Sequence, residues 1–528
     1  MMTRDTRGET TQANLFKPLL RDIVSQKHPL VLLADSIDWK SFEDALESRF
    51  CADNGRPSCP VRLMVGLQYL KYTAGLSDEG VLAEWCENPY WQYFTGGTFF
   101  EHEFPADQAS MSRWRRKLSE DGAEKLLEES LKAGLRQGFI KKSEFKRVNV
   151  DTTVAEKNIR FPTDARLYDR MRERLVAEAS ECGIPLRQTY ARVGKQLLRR
   201  QSGYAKARQL KRAAKQTRKL HTILGRTIRN IESHEVRLSE RMHELLETAH
   251  RIMEQTRTSG GKVYSIHEPQ VECIAKGKAH KRYEFGTKVG LVTSSKTNWI
   301  LGAKAFRGNP YDGHTLEDAL AQSTRLGGVE PEMAMCDLGY RGGGYEGPCG
   351  IQVVNRFRKQ RSKSLCRWWK RRSAIEPVIG HVKSEHRMNR NYLGGEIGDR
   401  LNSIFAAAGF NMRKLLRAFA LFLRPVSGRP LCGLLAWIRF CAARLAQYMA
   451  AATAQSEVGW NHFAQNAAFA WSTKPVYTGS SKSSDEKLSL ATMSGIGEEV
   501  LLDAFLIRSA SAVLRSCVSL FLIATETA

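Results

Sequence analysis

Eleven cysteines are scattered along the 528 residues, and no two are spaced as C-x2-C. An odd number of unclustered thiols reads neither as a disulfide framework nor as a zinc ribbon. Long apolar runs are also missing: the two most apolar stretches, 431–453 and 500–524, are broken by Arg439 and Arg444 and by Asp503, Arg508 and Arg515. Charges in the middle of a spanning helix are costly, so neither stretch is expected to cross a membrane. The first residues, Met1 to Arg7, lack the apolar core of a secretory signal, which points to a reduced cytoplasmic setting, associated with the nucleoid if the partner is DNA. The sharpest absence is of one sign of charge. From Gly183 to Ile231 there is no Asp or Glu, while fourteen Lys and Arg occur there, among them Arg199, Arg200, Lys211 and Arg212.

What is present fits a polyanionic partner. The formal charge of +25 exceeds what solubility requires, and its distribution favours nucleic acid over a membrane surface. Residues 1–145 read as a helical domain. Pro60 to Tyr72 has helical apolar spacing, Ser77 starts a further helix, and a polar-capped helix over Asp107–Leu118 gathers Arg113, Arg115 and Arg116. Such a helix suits DNA recognition, and equally a basic surface helix on a packed domain.

From Lys146 the texture changes to a mixed α/β pattern, taken to run over 146–425. Strands are expected around Asp151, over Tyr283–Thr293 and Trp299–Phe306, at Met333–Asp337 and at Ile351–Val354, with a helix after His314 and another carrying Glu376. A helical insertion, about 164–260, follows the first strand. Gly183 and Pro185 divide it into a shorter and a longer helix, and the 4,3 rhythm from Leu224 to Ile252 suggests one buried seam. Residues 426–528 form an extension to which no role attaches.

Three carboxylates, Asp151, Asp337 and Glu376, fall at a strand, just past a strand and on a helix. The last belongs to a run with the spacing R-x3-E-x6-K, which on one helix would stack Arg372, Glu376 and Lys383 on a single face. Singly, each has a plain structural reading: a strand-end turn, a type I turn and an i, i+4 ion pair. Together they suit phosphodiester chemistry, the carboxylates holding a divalent ion and the cations meeting phosphate oxygens.

In these residues the chain resembles the DDE transposases of bacterial insertion sequences, in the branch with a Tyr-Arg-Glu-Lys signature, insertion-sequence family five. Asp151-Thr-Thr153, Asp337-Leu-Gly-Tyr340, the Arg372, Glu376 and Lys383 spacing and the segment Asn309–His314 carry the likeness. The resemblance implies a ribonuclease-H-like catalytic core, with Asp151, Asp337 and Glu376 as catalytic residues and ligands of two Mg²⁺ ions, for which Mn²⁺ can substitute. It implies cleavage at the element's terminal inverted repeats and joining of the freed 3′-hydroxyls to double-stranded target DNA, by a homodimer or higher oligomer. Arg372 and Lys383 would hold phosphates. Where the signature has tyrosine this chain has Trp369, able to stack on a base but not to donate a phenolic hydroxyl. A nuclease without strand transfer, or a DNA-binding protein that has lost transposition, would share most of these features.

Overall fold

The computed structural model describes residues 2–3, 17–46, 56–234, 238–275, 282–354 and 362–423, and the expected C-terminal extension lies outside them. The described chain is a mixed α/β structure. Its sheet has six strands: β1 (Arg147–Glu156), β2 (Glu272–Ile274), β3 (Glu284–Ser294), β4 (Ile300–Phe306), β5 (Met333–Cys336) and β6 (Gly350–Val353). In space they run β2-β3-β1-β5-β6, with β4 on the same edge of β3 as β2. The β1–β3, β3–β4 and β2–β3 pairs are antiparallel, whereas β1–β5 and β5–β6 are parallel.

β1 is the centre of this arrangement. It is paired on both edges and buried on both faces except at Asp151 and its two ends, so its sequence lacks the strict alternation of a half-exposed strand. The three-residue β2 was not foreseen, being too short to carry a period of two. Between β1 and β5 the chain makes the long crossover that parallel pairing requires.

The N-terminal helices include α1 (Val61–Ala74), α2 (Asp78–Glu87) and α3 (Ala109–Arg136). The Ser77 hydroxyl caps α2 by accepting from the Gly80 amide, and α1 stops at Gly75 in the left-handed region. Ser119, at φ 56°, breaks α3 into two helical segments. These helices share one continuous hydrophobic core with the sheet, so position 145 marks a change of secondary structure but not of core.

After β1 come four insertion helices, α4 (Asp164–Glu181), α5 (Ala191–Lys206), α6 (Leu210–Glu232) and α7 (Glu240–Glu254), which close on a second hydrophobic cluster of their own. The expected single long helix is therefore three. The rhythm from Leu224 to Ile252 is shared between α6 and α7, which pack on α4.

Beyond β4 lie α8 (Leu316–Gly327), α9 (Lys363–Arg372), α10 (Ile375–Glu385) and α11 (Gly395–Phe422). α11 ties the two layers together, packing on α1, α3 and β4. A Cβ at Gly409 would stand 2.7 Å from the backbone of Tyr72, so only glycine allows α1 and α11 to approach this closely. Buried Asn411 accepts from the Ile300 amide (3.1 Å) and donates to its carbonyl (2.9 Å), satisfying backbone groups of β4 that no strand covers.

Candidate functional site

Asp151 sits in the middle of β1, Asp337 directly follows β5, and the parallel register of these neighbours brings the two carboxylates to one place on the sheet. The Asp337 side chain accepts from the Gly339 amide at 2.9 Å, capping the short turn Leu338–Tyr340. Glu376 lies in the first turn of α10. The preceding helix is anchored to β1 where Asn149 donates to the Arg371 carbonyl at 3.2 Å.

All three carboxylates converge on one guanidinium. Arg372 lies 3.0 Å from Asp151, 3.3 Å from Asp337 and 3.1 Å from Glu376. Exposure increases outward: the Arg372 and Asp151 side chains are 12 % and 15 % exposed, Asp337 42 % and Glu376 64 %. Two of the contacts come from a single nitrogen, Nη2, so the acids are gathered tightly around one cationic point.

A further carboxylate, overlooked in the sequence reading, stands beside them. Asp312 accepts from the Thr152 hydroxyl and from Lys288 Nζ, both at 2.9 Å, and thereby fixes the Asn309–His314 segment to β1 and β3. Only the position of that segment in the resemblance hinted at it. Tyr340 closes the site from below. Its ring is buried and its hydroxyl has no hydrogen-bond partner among the described residues. Burial first, then the charges of Asp151, Cys336, Asp312 and Asp337, push that hydroxyl well above its ordinary pKa, so it keeps its proton.

The continuous R-x3-E-x6-K helix is not observed. α9 ends at Arg372 and α10 begins at Ile375; the Arg372–Glu376 pair is kept across the break, while Lys383, two turns beyond Glu376 on α10, lies 3.8 Å from Glu284. Trp369 is only 7 % exposed and belongs to the packing, so as placed it offers no face to a base. His381 pairs with Glu385 at 2.5 Å, away from the carboxylates.

The basic positions divide in the same way. Arg115 is buried and grips Asp78 through two nitrogens at 2.9 and 2.5 Å, a structural role in place of the expected DNA contact. Arg116 is exposed, and exposed Arg113 pairs with Asp107 at 3.0 Å. In the insertion, Arg199, Arg200, Lys211 and Arg212 are all exposed on α5 and α6. None of the fourteen cations between Arg187 and Arg229 forms an ion pair among the described residues.

Among the described residues no three acidic, imidazole or thiol groups are grouped so as to hold an ion as they stand, and the centre of the three acids is taken by the Arg372 guanidinium. The donors are nevertheless hard carboxylate oxygens aimed at a common cation, with an unpartnered buried hydroxyl beside them. That chemistry fits Mg²⁺ or Mn²⁺ and not zinc. Among the described residues no helix is long and apolar enough to cross a membrane.

Comparison with known proteins bears on the same chain. Residues 18–117 match the model of a family described as a transposase domain (DUF772). The chain is also similar to an uncharacterized protein of Rhizobium meliloti, ORF8 in the nfe locus, with 44 % identity over 206 residues that make up 39 % of this chain and 99 % of that protein. No solved structure matches.

Proposed function

Since the chain belongs to one family with the Rhizobium meliloti ORF8 protein and carries a transposase domain in its N-terminal helices, we propose that it is a metal-dependent DNA transposase of the DDE type. The observation that carries this reading is the convergence of Asp151, Asp337 and Glu376 on one cationic point. The strand order, with an antiparallel β3 and β4 on one side of β1 and parallel β5 and β6 on the other, supports a ribonuclease-H-like core, and the Tyr-Arg-Glu-Lys branch accords with the Arg372–Glu376 pair.

In this reading Asp151, Asp337 and Glu376 hold two Mg²⁺ or Mn²⁺ ions, which when bound activate the attacking oxygen and stabilise the leaving one. Asp151, on the central strand and the least exposed of the three acids, would be the innermost of the ligands. With the carboxylates so engaged, the planar fork of Arg372 would be suited to phosphate oxygens. Asp312, neutralised by Lys288, acts as a positioning residue that sets Thr152 and the strand under Asp151. The insertion's exposed cations lie along double-stranded DNA, replacing its counterions. Two copies of the chain acting on paired inverted repeats fit a reaction that joins two ends.

The test uses DNA bearing the native element ends and a target plasmid, with Mg²⁺ or Mn²⁺. Asp151→Asn and Glu376→Gln are expected to lower joined products roughly a thousandfold or more while leaving binding intact. Cleavage without joining would identify a nuclease instead. The guanidinium now filling the acidic centre favours a second reading, a DNA-binding protein without catalysis, which binding without cleavage in the wild type would establish.

A further inference from the structure

A cavity of about 610 Å³ opens between the N-terminal helices and the loop that follows α10, with Arg116, Arg387, Tyr392 and Ile397 among the residues lining it. On its floor, Asp78 is already claimed by Lys71 at 2.7 Å and by Arg115. Arg116, Arg387 and Arg390, by contrast, meet no carboxylate among the described residues. Among the lining residues Lys71, Arg115, Arg116 and Arg387 outnumber Asp78 and Glu79, so the cavity keeps a surplus of positive charge, to which Arg390 adds beside it.

Tyr392 lines the same cavity, 57 % exposed, with the Arg387 and Arg390 guanidiniums 5.2 and 5.8 Å from its ring centre. An exposed aromatic is ordinarily unremarkable, but this one is held rigidly. The next residue back, Asn391, is buried, donates its amide to the Glu156 carbonyl at 2.6 Å and its side chain to Asp399 at 2.6 Å. Arg390 donates to Asn158 at 2.6 Å, and Arg387 occupies the left-handed region at φ 65° while its side chain reaches the Gly75 carbonyl at 3.3 Å. A non-glycine residue held in that region is strained, and such strain gathers where a surface is shaped for a ligand.

We propose that this loop is a second DNA site, separate from the carboxylate centre, that takes an unpaired nucleotide. Tyr392 stacks on its base, and Arg387, Arg390 and Arg116 hold the adjoining phosphates. The combination of an exposed aromatic ring and unneutralised arginines is what single-stranded nucleic acid requires, whereas a blunt duplex offers the ring only the outer faces of its two terminal pairs. The site is also within reach of a strand that enters the carboxylate centre. From Asp151 to Glu156, whose carbonyl anchors the loop, β1 advances about 17 Å, or roughly five steps of B-form DNA. The inference rests on the reading of this chain as a DNA-processing protein, but not on catalysis.

The experiment uses the full chain and a mixed-sequence duplex, either blunt or with a six-nucleotide single-stranded extension carrying 2-aminopurine. Wild type is expected to bind the extended duplex roughly tenfold more tightly than the blunt one, with the fluorescence of a stacked probe. Tyr392→Ala and the pair Arg387→Gln, Arg390→Gln should reduce the extended duplex to the blunt affinity, and Tyr392→Trp should retain the preference. Equal affinities in wild type, or a Tyr392→Ala loss that is the same for both duplexes, would overturn the proposal. Asp151→Asn should preserve the preference. A wild type that shows it but joins no DNA would leave this site standing and remove only the catalytic reading.

Discussion

The carboxylate centre and the helical insertion handle charge in opposite ways. At the centre, three acids share Arg372 and a fourth is held by Lys288, so every acid has a cation in contact although four carboxylates face only two cations. On the insertion, fourteen cations stand exposed along helices whose opposite faces close a separate core, and no acid answers them among the described residues. The difference separates two uses of charge. Acids collected at a buried strand must be neutralised by the protein until an ion arrives, because self-repulsion at low exposure is expensive. Cations on a solvated helix face can wait for their counter-charge, since water and salt screen them at small cost. The unpaired surface is thus the one shaped for a large anionic partner.

The contrast can be broken most severely on the insertion. Replacing Arg199, Arg200, Lys211 and Arg212 together by Gln should weaken duplex DNA binding roughly a hundredfold or more near 0.2 M salt and flatten the log–log salt dependence by about 3–4. Circular dichroism should be unchanged, because these side chains are exposed and form no ion pair among the described residues, Arg212 making a surface hydrogen bond to Gln209. An unaltered salt slope, measured by anisotropy titration, would mean the basic face does not meet DNA.

At the acidic centre the opposite outcome is expected. Arg372→Ala leaves three carboxylates without their shared cation, and thermal unfolding in a chelator should show a loss of about 2–3 kcal/mol, reduced from the value for a fully buried pair by the exposure of Glu376 and Asp337. Added Mn²⁺ should restore stability in this variant more strongly than in wild type, since the competing guanidinium is gone. If Mn²⁺ has no effect on melting in either protein, the carboxylates are not ion ligands.

Much of this arrangement was legible in the sequence, and what was hidden has a common cause. The segments around Asp151 and Glu284 identify strands because their Val and Thr residues suit a pleated surface, and Met333–Cys336 because a short apolar run bounded by turn residues suits a buried strand. The strand that carries Asp151 and the strand that Asp337 follows were therefore placed in order from pattern alone. The basic insertion was legible for the same reason, since a one-sign segment cannot be core. Pairings across long separations were not. Arg115 looks like its neighbours until Asp78, 37 residues away, turns it inward. Asp312 becomes part of the site only through the register that sets Thr152 and Lys288 against it. The break between α9 and α10 at Ser373 and Ala374 is, by contrast, announced by Pro377, whose ring and missing amide proton exclude the Ser373 carbonyl from a continuous helix, but the 3.8 Å approach of Lys383 to Glu284 is another pairing across a long separation that the sequence hides.

A third setting for a titratable group, with neither a counter-charge in contact nor solvent, sharpens the comparison at the smallest scale. His386, just past α10, is fully buried, and its Nδ1 lies 2.7 Å from the Tyr72 carbonyl, which fixes the proton there. Its Nε2 has no hydrogen-bond partner among the described residues. Burial, opposed by that carbonyl and aided by the Arg413 charge, lowers its pKa from 6.5 to about 4. Glu385 offsets and His381 adds to the Arg413 effect. Between those two values the unfolded chain binds a proton that the folded chain refuses, so stability falls as the pH drops from 6.5 toward 4. From pH 7 to pH 5 the loss from this one residue should be about 2 kcal/mol, and His386→Gln, which can still donate to the Tyr72 carbonyl, should flatten the dependence of melting temperature on pH in that window. An unchanged slope in the variant would place the acid sensitivity at the carboxylates around Arg372, where protonation removes the acids' attraction for their cation instead of forcing a charge into the core.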